Sequence, residues 1–376
     1  MNFMLLKKIE NEIEILEKNN NLRTLKTYSE KLLNLSSNDY LGLAQDLDLR
    51  TAFYSRYPNL PLSSSSSRLI TGTSSLVESL ESKLEDIYQN SGILFNSGFD
   101  ANSCIIETFC DKNTLIISDK LNHASIYDGI VHSGAQLLRY RHLDLDHLES
   151  ILKKYRDKFE NIFVISETIY SMDGDCVDLE KLISLKRDYS FLLILDEAHS
   201  FGVYGYGMAY EMDIIQNVDF LIIPLGKGGA SIGSYVICNS IYKQYIVNRG
   251  RKFIYTTALP PVNIAWNLFI LENMPKFKEK RDALNRLINF TLEKIKEYNL
   301  ETISSTQIIS IIIGDNKKAD TVCRNLIEKG FLVYAVKEPT VPKGTARIRL
   351  GLNPTFTEEE IQLFLKELKH ELDTIF

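Results

Sequence analysis

The sequence predicts an α/β fold with a mostly parallel central sheet and helices on both faces, followed by a smaller α+β domain. Three observations support this prediction. In the middle of the chain, apolar runs of strand length alternate with segments of helical periodicity, which is typical of parallel strands joined by crossover helices. Several of these runs have no polar side, as expected of strands covered on both faces. From about Pro275 the pattern changes to a long charged helical stretch and shorter strands.

The predicted elements follow in order along the chain. We expect residues 1–45 to form an N-terminal helix and arm, 46–274 a large domain that contains the central sheet, and 275–376 the small C-terminal domain. A helix is predicted over 76–89, where Val77, Leu80, Leu84 and Ile87 repeat at helical spacing. Strands of the large domain are predicted over 114–118, 136–140, 161–166, 191–195, 220–224 and 233–238. Strands of the small domain are predicted over 307–313, 331–336 and 346–352, before a final helix.

Composition and charge limit the classes of partner. The 376 residues are 44% hydrophobic and 24% charged, which excludes a disordered or collagen-like chain. The formal net charge is -6, and no block of Lys or Arg offers an electrostatic surface for nucleic acid or an anionic membrane. We therefore expect small-molecule substrates as partners, and neither nucleic acid nor a membrane.

Cysteine usage and the N-terminus predict a cytoplasmic protein. The five cysteines are odd in number and form no Cys-x-x-Cys pair, which argues against a disulfide framework and a zinc cluster. We expect no metal site. Residues 1–17 mix Lys and Glu among apolar positions, so they predict an amphipathic helix rather than a signal peptide. No apolar run reaches membrane-spanning length.

Polar residues follow the predicted parallel strands, at the end of the sheet where open α/β folds bind ligands. They are His123, Glu167, Ser171, Asp196, His199 and Lys227. Taken singly, an Asp or His at such a place is more often a cap or loop acceptor than a catalytic group. Lys227 is different, because glycines at 226, 228 and 229 let the backbone approach a ligand closely. A buried lysine with a lowered pKa supplies the neutral amine that reacts with an aldehyde.

Pyridoxal phosphate suits this set of residues better than the alternatives. The DEAH sequence at 196–199 also occurs in nucleic-acid-dependent ATPases, but Leu221 stands where their phosphate loop needs its first glycine. No His-x-x-x-His spacing supports a zinc hydrolase. Pyridoxal phosphate needs a lysine for its aldehyde, a carboxylate for its ring nitrogen and a group that stacks on its ring. The small-residue turn at 96–102 predicts a helix N-terminus for the phosphate.

Nine segments then make the pattern specific. They are LSSNDYLGL (35–43), SRLITGT (67–73), NSGFDAN (96–102), DKLNHASIYDG (119–129), SETIYSMDGD (166–175), LDEAHSFGVYG (195–205), LGKGG (225–229), YTTALPP (255–261) and PTVPKGTARIRLGL (339–352). In these segments and their order, nearly the whole chain resembles the α-oxoamine synthases. The resemblance implies a pyridoxal phosphate-dependent acyltransferase of fold type I, with the fold of aspartate aminotransferase.

The closing segment, together with DEAH, resembles the family member of biotin biosynthesis more than the 5-aminolevulinate synthases. This implies a decarboxylative condensation of L-alanine with a pimeloyl thioester, carried by coenzyme A or acyl carrier protein, that gives 8-amino-7-oxononanoate, CO2 and the free thiol carrier. Two alternatives stay open. One is another condensation of the family, such as glycine with acetyl-CoA. The other is a catalytically impaired protein that only binds pyridoxal phosphate.

The resemblance also implies a role for each matched residue. In the cofactor site, Lys227 forms the imine, Asp196 pairs with the ring nitrogen, His123 stacks on the ring and His199 bonds the phenolic oxygen. These four are the expected catalytic residues. Further cofactor contacts are expected from Gly98, Phe99, Glu167 and Ser171.

Substrate contacts are implied for four more residues. Arg349 would bind the amino-acid carboxylate with Asn38 nearby, while Thr340 would face the acyl substrate. Arg23 matches an N-terminal substrate-binding arginine, although its spacing to Asn38 is shorter than is usual in the family. The resemblance further implies a homodimer with shared sites, in which Thr256 or Thr257 reaches the phosphate in the partner subunit.

Two positions depart from the family pattern. Pro224 replaces a threonine three residues before the lysine, so neither a hydroxyl nor an N–H is offered to the phosphate there. Serines at 63–67 replace a glycine-rich segment, which reduces the backbone freedom of that loop. Both departures predict weakened cofactor binding or activity.

Overall fold

The structure is a computed structural model that describes residues 3–19 and 21–375. The strands are β1 (Leu33–Asn34), β2 (Ser91–Phe95), β3 (Leu115–Asp119), β4 (Gln136–Tyr140), β5 (Ile162–Glu167), β6 (Leu192–Asp196), β7 (Phe220–Pro224), β8 (Ser234–Cys238), β9 (Ile308–Gly314), β10 (Phe331–Leu332), β11 (Tyr334–Val336) and β12 (Ala346–Gly351). The helices are α1 (Phe3–Lys18), α2 (Leu47–Arg56), α3 (Ser75–Tyr88), α4 (Gly98–Phe109), α5 (Ala124–Ser133), α6 (Leu145–Tyr155), α7 (Leu179–Tyr189), α8 (Met208–Glu211), α9 (Ser240–Arg249), α10 (Arg251–Ile254), α11 (Pro261–Asn273), α12 (Lys278–Glu297), α13 (Asn316–Glu328) and α14 (Glu358–Ile375). Short 3₁₀ helices lie at Arg156–Lys158, Ile215–Asn217 and Met274–Phe277, and a π-helical turn lies at Arg68–Gly72.

The central sheet confirms the predicted α/β class. Its strand order is β2-β8-β7-β6-β5-β3-β4, in which β4, β3, β5, β6 and β7 are parallel and β8 is antiparallel to both of its neighbours. Both faces are covered, because adjacent residues of one strand enter different cores. Ile116 packs in the core formed with α4 and α5, whereas Ile117 packs in the larger core on the other face. This double burial explains the continuously apolar runs.

Strand bounds differ slightly from the prediction. Strands β3, β5 and β6 each begin and end one residue later than expected, so Asp119, Glu167 and Asp196 are the last residues of their strands. The prediction also missed β2, which runs antiparallel to β8 at the edge of the sheet. Helix α4 begins at Gly98, as the 96–102 segment predicted.

The C-terminal region has a sheet of its own, as predicted. Strands β11, β12 and β9 form a three-stranded antiparallel sheet, and α13 packs against it. The strand expected over 331–336 is wrong as one element, since it is interrupted at Val333. Its first part, β10, pairs instead with β1 from the N-terminal arm. The boundaries after residues 45 and 274 stay predictions.

Helix α1 confirms the predicted N-terminal helix from Phe3 onward, and the first two residues of that prediction lie outside the described residues. None of its described residues is buried, and apolar side chains such as Phe3, Leu6 and Ile13 are exposed. No helix within the described part of the chain is both long and apolar enough to cross a membrane.

Candidate active site

The strand ends bring the predicted catalytic residues together. Glu167 and Asp196 end β5 and β6 and are paired in register. Lys227 follows β7 by three residues, and His123 lies at the start of α5, after β3. The Nζ of Lys227 is 2.9 Å from Nε2 of His199. One end of a parallel sheet therefore gathers an amine, two imidazoles and two carboxylates.

Burial sets the charge state of the Lys227–His199 pair. Desolvation lowers the pKa of Lys227, while the charges of Asp196 and Glu167 oppose this shift. Desolvation, with the positive charges of Lys227 and Arg349, also holds the pKa of His199 well below its usual value. His199 is therefore neutral, and its Nε2 can accept a hydrogen bond from Lys227.

A tyrosine continues this hydrogen-bonded chain. Tyr40 Oη is 2.7 Å from Nδ1 of His199 and donates to Oδ1 of Asn38 at 2.9 Å. Burial raises the pKa of Tyr40 to about 12, although the charge of Arg349 opposes the shift, so the phenol stays protonated. Tyr40 was not among the residues predicted from the sequence to form the site. Its position two residues after Asn38, inside the LSSNDYLGL segment, could have indicated that it lies near the site.

Arg349 joins the N-terminal arm to the loop after β5. It lies in β12, and its Nη2 donates to Asn38 Oδ1 at 3.0 Å and to Tyr40 Oη at 3.2 Å. Its Nε donates to the main-chain oxygen of Ser171 at 2.5 Å. Arg349 and Asn38, both predicted to bind substrate, are thus in direct contact.

Asp196 is buried and already partly hydrogen-bonded. Its Oδ2 accepts from the Asn102 amide at 2.7 Å, and its Oδ1 accepts from the Ala198 N–H at 2.8 Å. The same Asn102 amide lies 3.1 Å from Ser125 Oγ, which is 2.8 Å from Nδ1 of His123. The carboxylate and the imidazole are therefore linked through Asn102 and Ser125.

Glu167 fixes the backbone at His123. Its Oε1 accepts the His123 N–H at 2.7 Å. Burial, together with the charge of Asp196, raises the pKa of Glu167 to about 8. Burial lowers the pKa of His123, with the charge of Asp196 opposing and that of Lys227 assisting the shift. The His123 imidazole is thus favoured in its neutral form, which suits stacking on a ring.

The start of α4 lies beside the end of β7. Ser97 caps this helix, since its Oγ accepts from the Asp100 N–H at 3.0 Å. A Cβ on Gly98 would lie 2.6 Å from Cγ of Pro224, so the proline ring packs directly against the first turn of the helix. The side chain of Phe99 is 45% exposed.

The serine run has a defined path. Ser64 Oγ donates to the Leu259 carbonyl at 2.6 Å, and the Ala258 N–H donates to the Ser66 carbonyl at 2.9 Å. Nearby, Thr256 Oγ1 accepts from the Asn96 amide of the same chain at 3.0 Å, and Thr257 is exposed. The segment that carries the two threonines is thus anchored next to the start of α4.

A cavity of about 1050 Å³ opens above this cluster. It unites residues predicted for the cofactor with all four residues predicted for the substrates. The predicted site residues that line it are Arg23, Asn38, His123, Ser171, His199, Lys227, Thr340 and Arg349.

The other predicted site residues lie outside this lining: Gly98, Phe99, Glu167, Asp196, Thr256 and Thr257. Asp196 and Glu167 are buried in the sheet beneath the cavity. The start of α4 and the threonine segment meet each other at Asn96, which is also not part of the lining.

Comparisons with known proteins agree with this architecture. Residues 30–368 match the family model "Aminotransferase class I and II". A Haemophilus ducreyi protein named 8-amino-7-oxononanoate synthase is 41% identical over 347 residues, 89% of this chain and 90% of that protein. A Glaesserella parasuis protein that bears the same name provisionally is 43% identical over 337 residues, 88% of this chain and 89% of its own.

Solved structures show the same fold. Serine palmitoyltransferase of S. paucimobilis superposes with a TM-score of 0.90 at 22% identity, covering 100% of this chain and 99% of its own. The 8-amino-7-oxononanoate synthase of Francisella tularensis superposes with a TM-score of 0.77 at 28% identity, covering 92% of this chain and 99% of its own. The chain therefore belongs to the aminotransferase class I and II family and, as a pyridoxal phosphate-dependent acyltransferase, to its α-oxoamine synthases.

Proposed function

We propose that the chain catalyses the decarboxylative condensation of L-alanine with a pimeloyl thioester. The products are 8-amino-7-oxononanoate, CO2 and the free thiol carrier, in biotin biosynthesis. The observation that carries this proposal is the single cavity that holds both the Lys227 amine and the Arg349 guanidinium. The similarity to proteins named 8-amino-7-oxononanoate synthase supports the choice of substrates.

The residues present fit pyridoxal phosphate. Lys227 offers an amine whose pKa burial lowers, which favours the neutral nucleophile that an aldehyde requires. Asp196 would hold the ring nitrogen, and the capped start of α4, with Gly98 and Phe99, would receive the phosphate. When bound, the cofactor supplies an electron sink for negative charge at the substrate α-carbon.

Arg349 binds the carboxylate of L-alanine. Its Nε and Nη2 are held by Ser171, Asn38 and Tyr40, which fixes the plane of the guanidinium. The guanidinium has five N–H donors, so donors remain for a carboxylate. Fixing the amino acid in this way orients its α-proton toward one side of the cavity.

Lys227 acts as the general base at Nζ. With L-alanine held in the cavity, the free amine of Lys227 would take the α-proton, and the lowered pKa favours the unprotonated amine that this step needs. His199 accepts a hydrogen bond from Nζ and holds it at this place. His123 would stack on the cofactor ring and help to polarise the acyl carbonyl of the thioester.

The remaining proposals follow the family resemblance. The enzyme is a cytoplasmic homodimer with shared active sites, in which Thr256 or Thr257 reaches the phosphate of the partner subunit. Thr340 faces the acyl substrate, and Arg23 is the candidate for the distal end of the pimeloyl chain. The position of both residues in the cavity lining supports these two assignments.

Product mass tests the proposal. The purified protein, loaded with pyridoxal phosphate, is incubated with L-alanine or glycine and with a pimeloyl or an acetyl thioester, in all four pairings. We expect L-alanine with the pimeloyl thioester to give the highest kcat/KM. One methyl group is worth about 1–3 kcal/mol in an apolar pocket, so some reaction of glycine is expected.

Two results would contradict the proposal in different ways. If glycine with acetyl-CoA is the best pair, the reaction is another condensation of the same family. If the cofactor absorbance appears but none of the four pairings gives product, the chain is a binding protein without this activity.

A further inference from the structure

His142 lies between β4 and α6 and bridges two carboxylates. Its Nδ1 is 2.9 Å from Oδ1 of Asp119, and its Nε2 is 2.9 Å from Oδ2 of Asp175. Its ring also meets the ring of Tyr170 edge-on, with centroids 4.5 Å apart. His142 does not line the cavity, and no role in the reaction described above involves it.

The geometry requires a charged ring. An ionised carboxylate only accepts hydrogen bonds, so both nitrogens of His142 must carry a proton to satisfy both partners. Burial alone would lower the pKa of His142, but the hydrogen bonds to Asp119 and Asp175 raise it to about 9. His142 is therefore an imidazolium at neutral pH, held between two negative charges.

The first carboxylate controls the turn that carries His123. Asp119 is the last residue of β3 and is fully buried. Besides contacting His142, its Oδ1 accepts the Leu121 N–H at 2.8 Å, and its Oδ2 accepts the Leu143 N–H at 2.9 Å. The turn from Asp119 to His123 is thus organised around a carboxylate that His142 holds.

The second carboxylate controls the loop that carries Ser171. The Tyr170 N–H donates to the Asp175 carbonyl at 3.0 Å, and the Gly174 N–H donates to the Tyr170 carbonyl at 2.9 Å, which closes the loop. At its tip, Ser171 lines the cavity and its carbonyl accepts from Arg349. His142 contacts this loop through the side chain of Asp175.

We propose that His142 is a positioning residue, which ties the turn of His123 to the loop of Ser171 and so sets the spacing between the cofactor side and the Arg349 side of the active site. Without the imidazolium, two carboxylates face each other with no positive charge between them, and the loop of Ser171 loses this link to the turn of His123. The proposal rests on the proposed function, because it takes the cofactor to bind at His123 and the amino acid at Arg349.

The test is His142→Gln, which removes the positive charge and leaves one donor nitrogen where the ring has two. We expect pyridoxal phosphate, titrated by its absorbance into the cofactor-free protein, to bind about 5- to 20-fold more weakly. We also expect the KM for L-alanine to rise more than kcat falls, and hydrogen–deuterium exchange to speed up in residues 119–123 and 169–176. The matched control is His132→Gln, because His132 also lies beside two carboxylates, Glu107 and Asp128, but is exposed and away from the cavity.

A second variant separates positioning from general stabilisation. If His142 acts through Asp175, the double variant His142→Gln with Asp175→Asn should lose less cofactor affinity than the product of the two single losses. Fully multiplicative losses would overturn the proposal. A His142→Gln protein that melts at a lower temperature but keeps wild-type cofactor affinity, KM and exchange rates in the two segments would also overturn it.

A wild-type protein that binds the cofactor but forms no product would contradict the proposed function, while the affinity and exchange measurements would still decide the role of His142.

Discussion

The two ends of the cavity differ in how their polar groups are supported. At the inner end, Lys227, His199, Tyr40 and Asn38 form a continuous chain of hydrogen bonds, and His199 and Tyr40 are buried. At the outer end, Arg23, Thr340 and Arg324 are exposed. Among the described residues, the side chains of Arg23 and Arg324 have no hydrogen bond or ion pair partner.

We interpret this difference as a division between residues that take part in the reaction and residues that recognise the substrate. Groups that move protons must be held in place before the substrate arrives, because small displacements of a reacting group cost much of the rate. Groups that only bind a charged end of the substrate can be exposed to water before the substrate arrives, because an exposed unpaired cation carries no desolvation penalty. Substitutions at the inner end should therefore affect every substrate, and those at the outer end only particular substrates.

The largest expected effect at the inner end is that of Lys227→Ala. We expect turnover to fall by about 1000-fold or more with every pair of substrates, because both the covalent attachment and the general base are lost. The absorbance of the covalently bound cofactor should disappear while the melting temperature changes little.

The matched control is Lys26→Ala, a lysine that lines the same cavity near its outer end. It should keep the absorbance and the reaction. A Lys227→Ala protein that still binds the cofactor covalently and turns over would show that another amine carries the chemistry.

The next effect is that of Asp196→Asn. The amide preserves the size of the side chain but keeps one acceptor oxygen where the carboxylate offers one to Asn102 and one to Ala198, and it cannot keep a ring nitrogen charged. We expect the cofactor to remain bound and the exchange of the L-alanine α-proton with solvent to slow by roughly 100-fold. Proton NMR in deuterated water measures this exchange directly, and an unchanged rate would argue against the role of Asp196.

The inner end was more predictable from the sequence than the outer end. Lys227, Asp196 and His123 each follow an apolar run, and the topology of a parallel sheet brings the ends of such runs to one edge. The geometry places these three beside the same site, although their roles stay predictions. The sequence did not reveal β2, because its five residues pair with β8, about 140 positions away, and long-range antiparallel pairing leaves no local signal.

His142 and Tyr40 were missed for a related reason. His142 lies in the polar sequence RYRHLDLDHL, and its partners Asp119 and Asp175 are 23 and 33 residues away in the chain. Tyr40 reaches His199 across 159 residues. At the outer end, exposed residues have no burial pattern at all, so only family resemblance pointed to Arg23 and nothing pointed to Arg324.

A pair of substitutions at the outer end tests whether Arg23 recognises the acyl chain. Because we propose that Arg23 binds the distal carboxylate, Arg23→Leu should lower kcat/KM for the pimeloyl thioester roughly 10-fold. The heptanoyl thioester, which has the same chain without that carboxylate, should react as with the wild type. Arg324→Leu, on α13 in the same cavity, is the matched control and should change neither substrate. If only Arg324→Leu discriminates between the two thioesters, the distal end binds at α13 and the assignment of Arg23 is wrong.

The smallest effect is expected at Pro224, which lies beside the start of α4 and outside the cavity lining. The Pro224 ring packs against Gly98 at the start of α4, beside the place proposed for the phosphate, and offers it no donor. Pro224→Thr should tighten pyridoxal phosphate binding by about 0.5–1.5 kcal/mol, or roughly 2- to 10-fold in Kd, because its hydroxyl adds one hydrogen bond. The control is Pro224→Val, which has the shape of threonine without the hydroxyl. If both variants bind pyridoxal phosphate more tightly by the same factor, the gain in affinity comes from the restored backbone N–H. No tightening by either would mean that another group already satisfies the phosphate.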